Sequence, residues 1–434
     1  MKFPQGGTYR ILCDHVWSGA DGATEALSIR VTDGVVTERL PLSAVPSADA
    51  SESLLDLRGL ALLSPLMDTH VHVYMNPWPL APSARVDPGS EGFSIELEAA
   101  LARLREAHAA GVGLLRDLGD PFEINLAAAN LTSGDSSLPR LLAAGAACFK
   151  EGRYGRFLGK PARDLSSLLD AIRDAASDPR VHLIKLIPTG IINFKKGMVT
   201  TTPQFTAEEF SPAVALAHDL GKKVAAHCSG EEGVRLAAEA GVDFIEHGYF
   251  VSRGTLDLMA KKDLVWTPTF APVHAQWRHF DTCGWDTETR DHLRRILDAH
   301  AESLRYARSI GVRLMAGSDA GGVGISHGGG VRLELSLMQE AGIPPLDLLQ
   351  MATRQGPLWT GALPARVFPA CGAPADFIAV DGSVLSDVRK LSGLRLVARD
   401  GRIQEARKPL MEADANAATY GIPAARTQPV SENA

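Results

Sequence analysis

No stretch of this 434-residue chain approaches the ~20 consecutive apolar residues needed to cross a bilayer. The most apolar run, Leu60 to Met67, is far too short, and no membrane partner is expected. The opening Met1-Lys2-Phe3-Pro4-Gln5-Gly6-Gly7 has polar and turn residues where a signal peptide has its apolar stretch, so export by that route is not expected. Paired cysteine spacings are missing too. The five cysteines, Cys13, Cys148, Cys228, Cys283 and Cys371, are odd in number and scattered. That pattern excludes a disulfide scaffold or a zinc ribbon and points to reduced thiols in a cytoplasm. A basic surplus is also absent: 44 Lys and Arg stand against 51 Asp and Glu, a net charge of -7, which removes nucleic acid as an expected partner. A small-molecule ligand and a homo-oligomeric assembly are the expectations that remain. No internal repeat stands out.

What is present is ordinary globular chemistry, with 45% hydrophobic and 22% charged residues, which excludes a largely disordered or collagen-like chain. Short alternating segments, Tyr9-Arg10-Ile11-Leu12 and Leu27-Ser28-Ile29-Arg30-Val31, and a turn at Asp33-Gly34 read as β-structure. Near the other end, Asp376-Phe377-Ile378-Ala379-Val380, Leu394-Arg395-Leu396-Val397 and a turn at Asp400-Gly401 match them in kind. Residues 1–59 and 362–413 are therefore expected to form one small β-sandwich domain, with 414–434 a surface or disordered tail. Leu60 to Asp68 reads as one buried strand opening a second domain, 60–361. There, strand candidates ending near His72, Asp117, Cys148, Ile187, His227, His247, Thr269 and Asp319 alternate with amphipathic helices such as Glu208 to Leu220. The fold class expected is α/β, a (β/α)8 TIM barrel carrying the β-sandwich.

The sharpest local signal is Asp68-Thr69-His70-Val71-His72. Side chains alternate along a strand, so His70 and His72 point the same way, which suits two imidazoles on one metal; a pair of hydrogen-bonded strand histidines is the plainer alternative. His227, His247 and Asp319 each fall at the expected C-terminal end of a barrel strand, the face where barrel active sites lie. Chance hardly delivers so many of 13 histidines to one opening. Lys185, in Leu183-Ile184-Lys185-Leu186-Ile187, is a charge flanked by apolar residues. A buried ammonium is costly unless paired or altered. Beside metal cations it makes sense as the anionic carbamate formed with carbon dioxide, and a lysine reaching solvent or a carboxylate is the alternative.

In this order, His70-x-His72, Lys185, His227, His247 and Asp319 resemble the amidohydrolase superfamily, in particular its binuclear members with a carboxylated lysine. The resemblance extends through Gly111 to Gly119, Ala217 to His227, Ala240 to Gly248, Trp266-Thr267-Pro268-Thr269 and Gly317 to Gly321, nearly the whole chain. Imidazolonepropionase-like and Xaa-Pro dipeptidase-like members are similar in their fourth strand. The resemblance implies two divalent metal ions, zinc in the first instance, with His70, His72 and Asp319 on the more buried ion, His227 and His247 on the other, and carboxylated Lys185 between them. It implies a bridging hydroxide as nucleophile, Asp319 as proton shuttle, and Lys185 and His247 as further catalytic groups in the hydrolysis of an amide-type C–N bond. N-acyl amino acids, dipeptides, carbamates, ureas and amide xenobiotics are all open to that chemistry.

The chain departs from its relatives after Lys185, where Pro188-Thr189-Gly190 replaces a Gly-Gly pair, and at Ala352-Thr353-Arg354-Gln355-Gly356-Pro357. His327, in the loop after Asp319, together with Tyr74 and Tyr154, is a candidate substrate contact; Trp78, Phe194, Arg153, Arg156, Lys195 and Lys196 are weaker ones. His300, His108 and His218 fall in helices and read as structural. A mononuclear deaminase or dechlorinase on the same fold would need a carboxylate soon after His227, where Glu231 comes one residue late for a His-x-x-Glu spacing and Lys185 has no role. A non-catalytic scaffold of the same fold would have lost ligands, whereas all the ligand positions are filled here.

Overall fold

The computed structural model describes residues 7–19, 22–45, 52–87, 89–382 and 384–407. The expected tail, 414–434, lies outside them.

The two chain ends meet in one eight-stranded sheet. From one edge its order is Arg402–Glu405, Leu394–Arg399, Phe377–Asp381, Leu60–Leu63, Thr8–Val16, Glu25–Thr32 and Val35–Pro41, with Ser53–Asp56 parallel to Thr8–Val16. Two hairpins bear out the Asp-Gly signals. Asp33 and Gly34 have φ of 49° and 80°, Asp400 and Gly401 50° and 73°, the left-handed pairs that a two-residue turn between twisted strands requires. The sheet curls until these turns touch: a Cβ on Gly34 would lie 2.4 Å from the Asp400 carbonyl oxygen, so no larger residue fits. Tyr9 Oη donates to the Gly401 carbonyl at 2.9 Å across the same closure. Tyr9, Ile11, Ile29, Val31, Phe377 and Ile403 are enclosed in this unit's own core.

The run read as one strand from Leu60 to Asp68 is two. Leu60–Leu63 belongs to the terminal sheet, antiparallel to Phe377–Asp381. Leu66–Val71 starts the second unit after a break at Ser64-Pro65, because proline has no N–H for a ladder.

In that second unit Leu66–Val71, Val112–Asp117 and Arg140–Ala143 are parallel neighbours. A parallel bridge from Ala143 to Val181 leads on to Leu183–Ile187, Lys223–Ser229, Phe244–Tyr249, Val265–Thr267 and Arg313–Leu314, again all parallel. Ala147–Lys150 prolongs the third segment past Gly145 (φ 66°) and pairs with Leu183–Ile187. The hydrogen bonding then returns to its start: Asp319 N donates to His70 O at 2.7 Å, and His72 N to Ala320 O at 2.8 Å. The last segment is shorter than expected. Strand geometry covers only Arg313–Leu314, and Asp319 has φ 57°, a left-handed conformation that no ladder can continue.

Helices fill the crossovers and start where the sequence offers caps. Ala207–Asp219, close to the expected span, opens on a reciprocal cap between Thr206 and Glu209. Leu216 packs against the core, while Leu220 is exposed. No described helix is long and apolar enough to cross a membrane.

His300, on Thr287–Ser309, is a core histidine as expected: it is buried, its ring stacks on Tyr249 at 3.9 Å, and Nε2 lies 2.9 Å from Pro268 O. Burial pushes its pKa down to about 3. An unfolded imidazole titrates near ~6.5. The folded value is the lower one, so this contribution to stability is complete above ~6.5 and drains away as pH falls towards the folded value. Urea midpoints at pH 7, 5 and 4 should decline less steeply in His300→Gln, which keeps a donor for Pro268 but cannot titrate. An unchanged slope would remove His300 from the acid sensitivity.

Candidate active site

The strand ends gather the polar residues. Alternation along Leu66–Val71 turns His70 and the following His72 to one side, with ring centroids 5.5 Å apart. His227, on Lys223–Ser229, and His247, on Phe244–Tyr249, bring their rings to 4.5 Å, and His247 lies 4.8 Å from His70. Asp319 Oδ1 is 3.5 Å from His70 Nε2 and 3.4 Å from His72 Nε2. Ligand atoms of His70, His247 and Asp319 lie within 4.8 Å of one another. His247 (φ 69°), Thr269 (φ 51°) and Asp319 all have left-handed backbones, the kind of strain that persists at functional sites when surrounding structure holds it.

Each of three imidazoles has its Nδ1 occupied: His70 by Glu246 Oε2 at 2.8 Å, His72 by Gly119 O at 3.1 Å, His247 by Thr269 Oγ1 at 2.8 Å. That leaves Nε2 of each for a metal and fixes the ring, the usual arrangement behind ligating histidines. His227 Nε2 and Lys185 Nζ are both buried without a hydrogen-bond partner among the described residues. Burial, and then the Lys185 charge, pushes the His227 pKa down to about 3. Burial likewise brings Lys185 down to about 8, with Glu246 opposing and Arg116 adding to the effect. Burial would raise the Asp319 carboxyl, but the His70 and His72 imidazoles hold it below its ordinary range. Burial pushes His70, His227 and His247 towards the neutral form, whereas at His72 the Asp319 carboxylate outweighs burial and raises the pKa. With an ionised carboxylate and an amine that has no partner among the described residues, these are donors that suit divalent cations.

The substrate candidates fall in different places. The Tyr154 ring lies 5.3 Å from His227, beside the cluster. Tyr74 is buried, its hydroxyl donating to Phe157 O. His327 is buried with Nε2 3.1 Å from His72 O, against the backbone of the first strand. Among the weaker candidates, Arg153 donates to Thr202 O at 2.8 Å, Phe194 packs edge-on against Trp285, and Arg156, Lys195 and Lys196 are exposed. Glu231 is turned away: its oxygens accept from Ser252 N and Thr255 Oγ1, both at 2.7 Å, at the start of helix Arg253–Lys261.

Sequence reasoning missed the layer beneath the imidazoles. Arg116, at the end of the second strand, donates from Nη2 to Glu246 Oε1 at 2.6 Å and from Nε to Thr69 O at 2.6 Å, and both partners of this ion pair are fully buried. Asp68 accepts from Ser318 N at 2.9 Å and so ties the first segment to the last. Asp117 accepts from Val73 N at 2.7 Å and Gly119 N at 3.1 Å, shaping the turn whose carbonyl holds His72. The signal was available: Arg116 and Glu246 are charges inside apolar strands, as Lys185 is.

The family profile of the amidohydrolases, "Amidohydrolase family", matches residues 63–405, and the chain belongs to that family. An uncharacterized protein of Mycobacterium tuberculosis is 26% identical over 339 residues, 77% of this chain and 82% of that one. An ochratoxinase of Aspergillus niger is 27% identical over 188 residues, 43% of this chain and 38% of that one. Among solved structures, a Xaa-Pro dipeptidase with bound methionine superposes with a TM-score of 0.79 at 24% identity, covering 92% of this chain and all (100%) of that one.

Proposed function

We propose that this protein is a binuclear metal-dependent amidohydrolase that cleaves an amide-type C–N bond in a small molecule. The parallel segments whose bonding returns to its start are read as the (β/α)8 barrel, and the curled terminal sheet as the β-sandwich. The observation that carries the proposal is Lys185, whose buried, unpartnered Nζ sits in a strand of the same ring as the four histidines and Asp319. An ammonium left there alone is costly. Its amine, as a carbamate, would become an anion shared by two cations.

In this reading His70, His72 and Asp319 would hold one divalent ion and His227 and His247 the other, with carboxylated Lys185 supplying an anionic ligand to the pair. Zinc suits imidazole and carboxylate donors. Bound there, the ions would supply Lewis-acid activation of water and of the scissile carbonyl. Asp319, kept ionised by its imidazole neighbours, takes the proton of the attacking water and returns it to the leaving nitrogen. Tyr154, kept protonated by burial, offers a phenolic donor to the substrate beside His227. Tyr74 and His327 support the walls from behind, through Phe157 and His72. The placement of Glu231 in a helix cap speaks against the mononuclear deaminase. The described cysteines are all free, in keeping with a cytoplasmic enzyme, and a homo-oligomeric assembly is part of the same reading.

Dipeptides, N-acyl amino acids, carbamates, ureas and amide xenobiotics are the candidate substrates; two of the similar proteins are named for a dipeptide and for ochratoxin. A mass-spectrometric hydrolysis screen of the zinc- or manganese-loaded protein against N-acyl amino acids, dipeptides, aryl carbamates and phenylureas tests the reading. Metal analysis after dialysis against metal-free buffer should return about two ions per chain. A reproducible value near one with full activity would transfer the chain to the mononuclear class.

A further inference from the structure

The opposite end of the strands holds a cavity of ≈ 170 Å³, lined by Arg116, His182, Leu183, Lys223, Phe244 and Thr360 among others, with no carboxylate among the described residues of its wall. Leu183 and Phe244 are the first residues of their strands, whereas His227 and His247 lie towards the other ends of theirs. The two sites therefore face away from each other.

Its charges are positive and one of its donors is unused. Arg116 spends Nε on Thr69 and Nη2 on Glu246, and its buried Nη1 has no partner among the described residues. A guanidinium has five N–H donors, and a buried donor left without an acceptor is costly. The Arg116 guanidinium carbon lies 4.4 Å from the Phe244 ring centroid and Lys223 Nζ 5.7 Å from the same point, so both cations border one ring. Lys223 donates to Trp359 O and its side chain is exposed, which leaves further ammonium protons to give. His182 Nε2 lies 2.7 Å from Thr360 O; burial and then the charges of Arg116, Lys222 and Lys223 hold this imidazole below its ordinary pKa. The Arg116 charge is already met by Glu246, so a small anion would answer the unused Arg116 donor and the charge of Lys223. A water's share of liquid volume is roughly 30 Å³, so the space admits a polyatomic anion with some of its hydration.

We propose that this cavity binds a small oxyanion of the phosphate or bicarbonate class, gripped by Arg116 Nη1 and Lys223 Nζ. The proposal does not depend on the chemistry assigned to the histidine site. Titration calorimetry of the metal-loaded protein with inorganic phosphate, bicarbonate and chloride at constant ionic strength tests it and separates the oxyanion sources. One oxyanion site per chain is expected, weakened roughly tenfold in Lys223→Ala, the scale of one lost charge-assisted hydrogen bond, and recovered in Lys223→Arg. In selenate-soaked crystals the anomalous peak should lie between Arg116 and Lys223. Equal affinity in the parent and Lys223→Ala, as an anion held among the histidines would give, overturns the proposal. So do an absence of oxyanion binding, chloride binding as tightly as either oxyanion, and a selenate peak elsewhere.

Discussion

Lys185→Ala should lose at least one metal ion and fall in kcat/KM by roughly 100-fold or more, since even groups one step behind a metal ligand cost about 10- to 100-fold when removed. The side chain is buried and its Nζ has no partner among the described residues, so in the proposed reading its role is to supply the anion between two cations. Lys185→Met separates this from a packing effect: it keeps most of the volume and lacks the amine, and it should fail as completely as alanine. Formate or acetate at high concentration should partly restore metal content and turnover to Lys185→Ala, because a small carboxylate can enter the vacated space. Normal metal content and turnover in either variant would show that Lys185 is structural and that no carbamate is needed.

Asp319→Asn should lower kcat by roughly 100-fold or more, the ordinary scale for removing a general base, while metal content falls only in part. Asparagine keeps an oxygen of similar placement but cannot take the proton. The backbone does not confound the test. Asp319 has φ 57°, and asparagine is among the few residues that accept a left-handed conformation. Near-parental kcat in this variant would hand the proton to another group. Glu231 is poorly placed for it, with both oxygens engaged at a helix start.

Much of the site was legible because its signals are local. Period-two alternation put His70 and His72 on one side before any fold was known, and a lysine between apolar pairs marked Lys185 as a charge in need of an explanation. The Asp-Gly turns at 33–34 and 400–401 were readable for the same reason: two adjacent left-handed residues are a demand that few dipeptides meet. The candidate substrate contacts were less legible. Tyr74, Tyr154 and His327 all follow strands in sequence, yet the hydroxyl of Tyr74 and Nε2 of His327 meet backbone carbonyls while the Tyr154 ring reaches His227.

By itself the sequence determined the chemistry available here: which side chains could serve as metal donors, which strand end carries each, where two hairpins turn, and that Lys185 lies between apolar residues, with its amine either buried or reaching out to solvent or a carboxylate. Tertiary structure alone decided how those donors are held. Arg116 meets Glu246 across 130 positions of chain, and no periodicity or turn rule acts over such a separation. Leu60–Leu63 joins the terminal sheet because Pro65 interrupts the ladder and Phe377–Asp381 offers an edge, a choice made by a strand some three hundred residues away. The last segment leaves strand geometry after Leu314, and it is the bonds of Asp319 N to His70 O and Ser318 N to Asp68 that place the Asp319 carboxylate against two imidazoles. Local propensity sets what a residue can do, but a buried charge takes its partner from whatever the closed fold brings within reach.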